Sequence, residues 1–372
     1  MRDYSEAERT EVRAEWLSLM DFRSFERLEL ENFERVNVIC GENGTGKTNI
    51  IESIWLFTGG KSFRPAKDSD FIRYGKKKNE LKLGFDSLGR KQEARIEIEE
   101  KRNAWLNDIP LKSPLEMAGN LCCVAFTPSH MEIVKGSPES RRRFLDTLLC
   151  QISTEYIITL RRFKRILLQR NAALKQVAEG FMQESDLTAW NEGFVECAAR
   201  VAFAREELCK ELYEAAKACY SELSGGKEQL GIKYSGGIGM RGNREEAALE
   251  DIKAALKEEI DRNFEREIRY KTTLCGPHRA EMQLTLDGKE AKLFGSQGQQ
   301  RSCVLALKMA EAKLLEIKTG HIPIVLLDDV LSELDFRRRS VVLRSFQKNQ
   351  VFITCCDADR LNITEKVNTI VL

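Results

Sequence analysis

The sequence predicts an α/β fold, a mixed β lobe joined to a parallel α/β core, with a helical arm inserted between the two parts of the chain. Three observations predict it. The stretch "VNVICGENGTGKTNIIESIWLFTGG", Val36 to Gly60, joins a β-branched run to a glycine-rich loop and then to an apolar helix. The C-terminal part alternates helix and strand patterns, "RSCVLALKMAEAKLLEI", "IPIVLLDDV", "RRRSVVLRSF", "VFITC" and "NTIVL", and short unbroken apolar runs of that kind suit strands buried on both faces of a parallel sheet. Between these parts, from Ser140 to about Tyr220, almost everything is helical by period. Residues 1–120 and 271–372 are accordingly assigned to a head and residues 121–270 to an arm.

A chain of 372 residues with 42% hydrophobic side chains is long enough for two domains, or for one with a large insertion. Its 59 Lys and Arg stand against 58 Asp and Glu, so there is no general basic field and any contact with nucleic acid must be local. Eleven cysteines with no C-x-x-C spacing, and only three histidines, argue for reduced cysteines packed as small hydrophobes rather than for zinc. The N-terminus "MRDYSEAERTEVRAEW" is charged, unlike a signal peptide, and no apolar run approaches a membrane span. A cytoplasmic protein without a membrane partner is expected.

From Trp16 to about Leu111 the chain reads as β-rich around the glycine loop. Leu81, Leu83 and Phe85, then Ala94, Ile96 and Ile98, alternate with polar residues about a turn at Ser87 to Arg90, which predicts an antiparallel hairpin. A Pro-punctuated segment holds one apolar strand, Leu121 to Phe126. In the arm, Phe144, Leu148, Ile152, Tyr156, Leu160 and Phe163 mark one helical face, and Trp190, Phe194, Cys197, Val201, Leu208 and Leu212 another. Two long helices are predicted to pair, the second from Thr188 to Glu222 and on the order of 50 Å long. The glycine-rich interruption "SGGKEQLGIKYSGGIGMRGN" follows, with a short strand in it, and then an amphipathic helix through Ile252, Leu256, Ile260, Phe264 and Ile268.

The chemistry lies at three points. Gly41, Glu42, Asn43, Gly44, Thr45, Gly46, Lys47 and Thr48 fit the pattern G-x-x-x-x-G-K-[ST] in its required strand–loop–helix context. Glycines there let backbone N–H groups approach phosphate oxygens at a helix N-terminus, Lys47 reaches the β- and γ-phosphates, and Thr48 puts its hydroxyl on Mg²⁺, so ATP with Mg²⁺ is the expected cofactor. The run Ile324 to Leu327 ends in Asp328 and Asp329, which places a carboxylate at the edge of the sheet beside the loop. Asp328 is assigned to Mg²⁺ and Asp329 to the base or water-orienting role, with Lys47 as its catalytic partner. The third point is "FGSQGQQR", a cluster opening a helix that is expected to begin near Arg301, where Ser296 offers a second anion site.

With "SELD", Ser332 to Asp335, these motifs resemble the set found in ATP-binding-cassette heads, in which two heads face each other and each signature loop completes the other head's ATP site. Ser296, Gly298 and Gln299 match the serine, second glycine and glutamine of that signature. Gln297 departs at the first glycine, and Asp329 replaces the usual glutamate. Within that superfamily the chain resembles the bacterial RecF family over nearly its full length, on "GENGTGKTNIIESI", "MEIVKGSPESRRRFLD" (Met131 to Asp146), "CGPHR" (Cys275 to Arg279), "GSQGQQR" and "LLDDVLSELD". In chromosome-structuring heads an arginine soon after the first helix reaches the nucleotide, and Arg64 stands at the matching place. Thr127 lies nearest the expected inter-lobe glutamine, and "FITCCD" stands where a histidine is expected.

The resemblance implies an ATP-dependent DNA-binding protein of recombinational repair and replication restart, active in the response to DNA damage. It implies an ATP-dependent homodimer on duplex DNA at gapped junctions, RecR- and RecO-type mediators, recombinase loading of RecA type, and a weak, DNA-stimulated ATPase used as a switch. Among the local basic clusters, Lys76 to Lys78, Arg141 to Arg143, Arg161 to Arg165 and Arg337 to Arg339, the run Arg141, Arg142, Arg143 lies in a family-specific stretch and is singled out for DNA. His278 and Arg279 are read as structural, tying the insertion back to the head, slightly ahead of a direct DNA role. The rival readings are a transporter ATPase subunit and a small-molecule P-loop kinase.

Overall fold

The computed structural model describes residues 3–87, 89–238, 249–356 and 367–372. In chain order its elements are β1 (Thr10–Phe22), β2 (Phe25–Leu30), β3 (Val36–Cys40), α1 (Lys47–Leu56), β4 (Asn79–Ser87), β5 (Arg90–Ile98), β6 (Arg102–Leu106), β7 (Ile109–Pro110) and β8 (Cys123–Phe126). Then come α2 (Glu132–Lys135), α3 (Pro138–Ile152), α4 (Thr154–Ala178), α5 (Thr188–Ser224), β9 (Leu230–Ser235), α6 (Leu249–Tyr270), β10 (Glu281–Leu286), β11 (Lys289–Glu290) and α7 (Ala291–Phe294). The chain closes with α8 (Gln297–Thr319), β12 (His321–Ile322), β13 (Ile324–Asp328), α9 (Phe336–Ser345), β14 (Val351–Cys355) and β15 (Val367–Val371). They form two compact units, one of residues 1–131, 215–229 and 296–372, the other of residues 132–214 and 230–295.

The first unit holds two sheets. One runs β12-β1-β4-β5-β6-β7, with β2 also on β1, and is antiparallel except where β12 joins. The other is parallel throughout, in the order β15-β3-β14-β13-β8. Alternation decides the first sheet: Leu81 and Leu83 face Ile96 and Ala94 across the β4–β5 hairpin, all four buried. Leu88 in the turn lies outside the described residues. Continuous burial decides the second sheet, since every residue of β3, β13 and β14 is buried. One apolar cluster joins Ile50, Ile51, Ile54 and Trp55 of α1 to Leu17 and Leu19 of β1 and to Ile39, Leu326 and Phe352 of the parallel sheet. That fixes α1, and hence the loop before it, against both sheets.

The second unit is mostly helical with a small antiparallel sheet, β11-β10-β9. The long helices touch as predicted: the rings of Phe163 on α4 and Phe194 on α5 lie 5.9 Å apart. Fully buried Arg170 on α4 donates at 2.6 Å to Glu267 on α6 and at 2.8 Å to Asn191 on α5. Desolvated charges need such pairing, so this pair ties three helices together. Residues 239–243 of the predicted glycine-rich interruption lie outside the described residues.

Three stretches differ from the sequence assignment, and one of them, residues 215–229, was assigned to the arm but belongs to the first unit. Strand β8 falls in 121–270, yet it pairs in parallel with β13, Cys123 opposite Ile324 through Phe126 opposite Leu327, inside the head sheet. A fully apolar strand needs cover on both faces, which that sheet provides and which a local pattern does not reveal. Conversely, residues 271–295 belong to the second unit, because β10 pairs with β9 there. Among the described residues no helix is long and apolar enough to cross a membrane.

Candidate functional site

All the predicted nucleotide-site residues fall in the first unit. Buried β3 delivers the chain to Gly41, and α1 starts from Gly46 in a left-handed conformation, φ +105°. A Cβ at Gly46 would sit 2.6 Å from the Phe25 ring, and one at Gly41 would sit 2.8 Å from Thr45 Oγ1, so both positions require glycine. Gly46 brings no side chain to cap α1, which leaves the first-turn N–H groups for another acceptor. Lys47 is buried and its Nζ donates to the Gly41 and Glu42 carbonyls at 2.6 and 2.8 Å, holding the ammonium within the loop.

At the sheet edge, Thr48 Oγ1 donates to Asp328 Oδ1 at 2.8 Å and Thr354 Oγ1 donates to the same oxygen at 2.9 Å. Burial pushes the Asp328 carboxyl above its ordinary range, against the pull of these two hydroxyls and of the Arg64 charge. Asp329, next in sequence, leaves the strand in the left-handed region at φ +54°. Its N–H donates to Thr354 Oγ1 at 2.9 Å, and its carboxylate and carbonyl both accept from Ser332 Oγ at 2.9 Å. Thr354 thus bridges the two acids. It went unrecognised in the sequence; its register opposite Asp328 on β14 is the signal, and only the sheet shows it.

Arg64 is held by Asn49 at 2.9 Å and by Glu52, with which it pairs closely. Glu52 is fully buried on α1 and also takes Arg23 at 3.0 Å. Burial opposes ionisation of Glu52, but hydrogen bonds from Arg64, Arg23 and Ser62 outweigh it and hold the carboxyl below its ordinary value. Two guanidiniums share one carboxylate, so this corner carries surplus positive charge beside the loop. Asn49 and Glu52, near one face of α1, are further members the sequence reading missed.

Helix α8 begins at Gln297, not near Arg301. Ser296 is its N-cap, accepting from Gln299 N–H at 3.3 Å, while Gln299 Oε1 accepts from Ser296 N–H at 2.7 Å. Ser296 followed three residues on by Gln299 is the spacing of a capping box, a signal that the expectation of a start near Arg301 did not use. Gln299 Nε2 also donates to Glu228 Oε1 at 2.7 Å, and Tyr220 donates to the other oxygen of Glu228 at 2.7 Å. A Cβ at Gly298 would lie 3.4 Å from the Arg338 guanidinium, which Asp335 of the "SELD" turn pairs with at 3.2 Å. Ser296 and Gln297 are exposed.

In the run singled out for DNA, two of the three arginines are engaged by the chain itself. Arg141 is buried and forks onto Glu281 at 2.5 and 2.8 Å, and Arg142 donates to the Ala280 carbonyl at 2.7 Å. Both hold α3 to the start of β10; Arg143 alone is exposed, 3.5 Å from Glu139. A local sequence cannot show that the partner acid lies far along the chain. His278 and Arg279 meet the Thr273 carbonyl at 3.1 and 3.3 Å, a local contact within the second unit.

Comparison with known proteins supplies the lineage. Residues 14–372 match the family model described as the RecF/RecN/SMC N terminal domain. The chain is 34% identical over 343 residues to the DNA replication and repair protein RecF of Acetivibrio thermocellus, covering 92% of each. It is 36% identical over 342 residues to that of Alkaliphilus oremlandii, covering 91% of this chain and 92% of the relative. Among solved structures it resembles the recombination mediator protein RecF-ATP in the RecFOR pathway, with TM-score 0.90, 28% identity and 99% and 98% of the two chains covered. Relatives of that kind over that length do not favour the transporter or kinase readings. The chain therefore belongs to the RecF/RecN/SMC N-terminal domain family and, within it, to the RecF DNA replication and repair proteins.

Proposed function

We propose that this protein is an ATP-gated DNA clamp of recombinational repair and replication restart, whose two copies share each triphosphate between the phosphate loop of one and the serine loop of the other. The carrying observation is the pairing of a corner that is closed within one chain, Lys47 with Thr48, Asp328 and Thr354, with a helix N-terminus at Ser296 that faces outward. The residues fit a nucleotide: any Cβ at Gly41 or Gly46 would collide with the loop's own neighbours, the α1 amides lack a side-chain cap, and Lys47 sits among them. Thr48 and Asp328 offer the hard oxygen ligands that Mg²⁺ prefers. Bound there, Mg²⁺ would supply charge stabilisation for the terminal phosphates.

The chain's own residues do the rest. Lys47 and the loop amides orient the phosphates, Arg64 adds positive charge from the side, and Asp329 is placed to orient the attacking water. Ser296 and Gln299 of the second copy contact the γ-phosphate across a two-fold axis. Cleavage of that phosphate removes the shared contact, so the copies part and DNA is released. The family supports duplex and gapped DNA as the target, RecR- and RecO-type mediators as partners, RecA-type loading as the outcome, and a cytoplasmic setting. ATPase rate against protein concentration, with and without duplex DNA, tests the proposal. A quadratic, DNA-stimulated rise is expected; a linear, DNA-blind rate would overturn it.

A further inference from the structure

The two basic runs of the arm have opposite fates. Arg141 and Arg142 are consumed in holding α3, whereas Arg161, Arg162, Lys164 and Arg165 on α4 are all exposed. Among the described residues the side chains of these four make no hydrogen bond or ion pair. At 100° per residue they fill one arc of the helix, centred opposite buried Phe163, and Arg161 and Arg165 stack one turn apart. Like charges at such spacing destabilise an isolated helix, so this arrangement does not serve the fold. The only acid in α4, Glu155, lies at its start, 3.7 Å from Arg200.

From Arg161 to Arg165 the helix advances about 6 Å, and B-form DNA presents one phosphate per about 1.7 Å of its axis, so four phosphates occupy the same length. We infer that the outer face of α4, through Arg161, Arg162, Lys164 and Arg165, is a duplex-DNA backbone-binding surface of this protein, in place of the Arg141 to Arg143 run. The inference rests on the DNA-binding reading above and assigns it a location. The contact is sequence-independent, since four cations read phosphates and no base edge.

Fluorescence anisotropy on the full-length protein with ATP and a labelled duplex of about 30 base pairs, across a salt series, tests it. Arg161→Glu/Arg165→Glu is expected to weaken binding about tenfold or more and to lower the slope of log K against log salt by about 1.8, at about 0.9 per phosphate lost. Arg161→Lys/Arg165→Lys should retain the slope, and ATP-dependent dimerisation of both variants should match the parent. Parent-like affinity and slope in the double glutamate variant would overturn the assignment while leaving DNA binding intact. An equal loss in Arg143→Glu would also overturn it. Exposed Ile158 and Leu168 flank the basic arc. A double glutamate variant that kept DNA affinity but lost a protein partner would mark a protein-docking face instead. Absence of duplex binding by the parent protein would overturn the DNA reading itself.

Discussion

The phosphate loop and the serine loop use one device, the N-terminus of a helix, in two different settings. At the first, Lys47 and Asp328 are buried, and Thr48 and Thr354 close on one carboxylate oxygen. At the second, Ser296 and Gln297 are exposed, and the capping box is braced from behind by Glu228. The first is closed by contacts within one chain, whereas the second leaves its serine exposed. On the proposed function, nucleotide grip belongs to one chain alone, whereas dimer formation needs that nucleotide together with the serine loop of the second copy. Substitution at the serine loop should leave nucleotide binding standing, whereas loss of nucleotide binding at the phosphate loop should also remove the dimer.

The largest effect is expected at Asp329. Asp329→Asn should slow hydrolysis by about 10²- to 10⁴-fold, the usual contribution of a positioned base, while nucleotide binding and dimer formation persist. Single-turnover hydrolysis beside light scattering checks this, and a dimer lost together with turnover would break the separation of roles. Next is Lys47→Ala, which removes a charged hydrogen-bond donor and should weaken nucleotide affinity by about 1.5–3 kcal/mol, read by calorimetric titration. Unchanged affinity would contradict the buried loop as the grip.

Thr354→Val is smaller and sharpens the account of the acidic corner. Losing one hydrogen bond to Asp328 should reduce Mg²⁺-nucleotide affinity by about 0.5–1.5 kcal/mol and move its pH dependence upward, because that hydroxyl helps keep the carboxylate ionised. Affinity should fall as pH drops through the raised Asp328 value. For folding the sign is opposite: the native chain favours the protonated acid, so this contribution is full below the ordinary carboxylate range and is lost as pH rises through the raised value. Titrations across pH that coincide for the variant and its parent would remove Thr354 from the site.

How much could be read in advance follows from how far each residue's partner lies along the chain. Gly41 to Thr48 and the acids after Leu327 were legible because a buried strand, a loop and a helix are contiguous. The hairpin of β4 and β5 was legible from alternation, whereas α8 begins at Gln297, ahead of the start expected near Arg301. Thr354, Glu52 and Glu228 were not. Their roles come from register across a parallel sheet, from the packing of Arg23 against α1, and from the turn that ends α5. The same reasoning applies to Arg141: its charge was visible, but Glu281, with which it pairs, lies beyond three long helices, α4, α5 and α6.

Mixing two inactive variants addresses the shared-triphosphate claim most directly. Lys47→Ala and Ser296→Arg each disable one half of every composite site, yet a mixed dimer would rebuild one intact site from the intact lysine of the second variant and the intact serine of the first. Random pairing of equal amounts should restore about a quarter of the parent ATPase rate. A mixture that stays as inactive as its components, at concentrations where the parent protein dimerises, would contradict the sharing of one triphosphate by two copies.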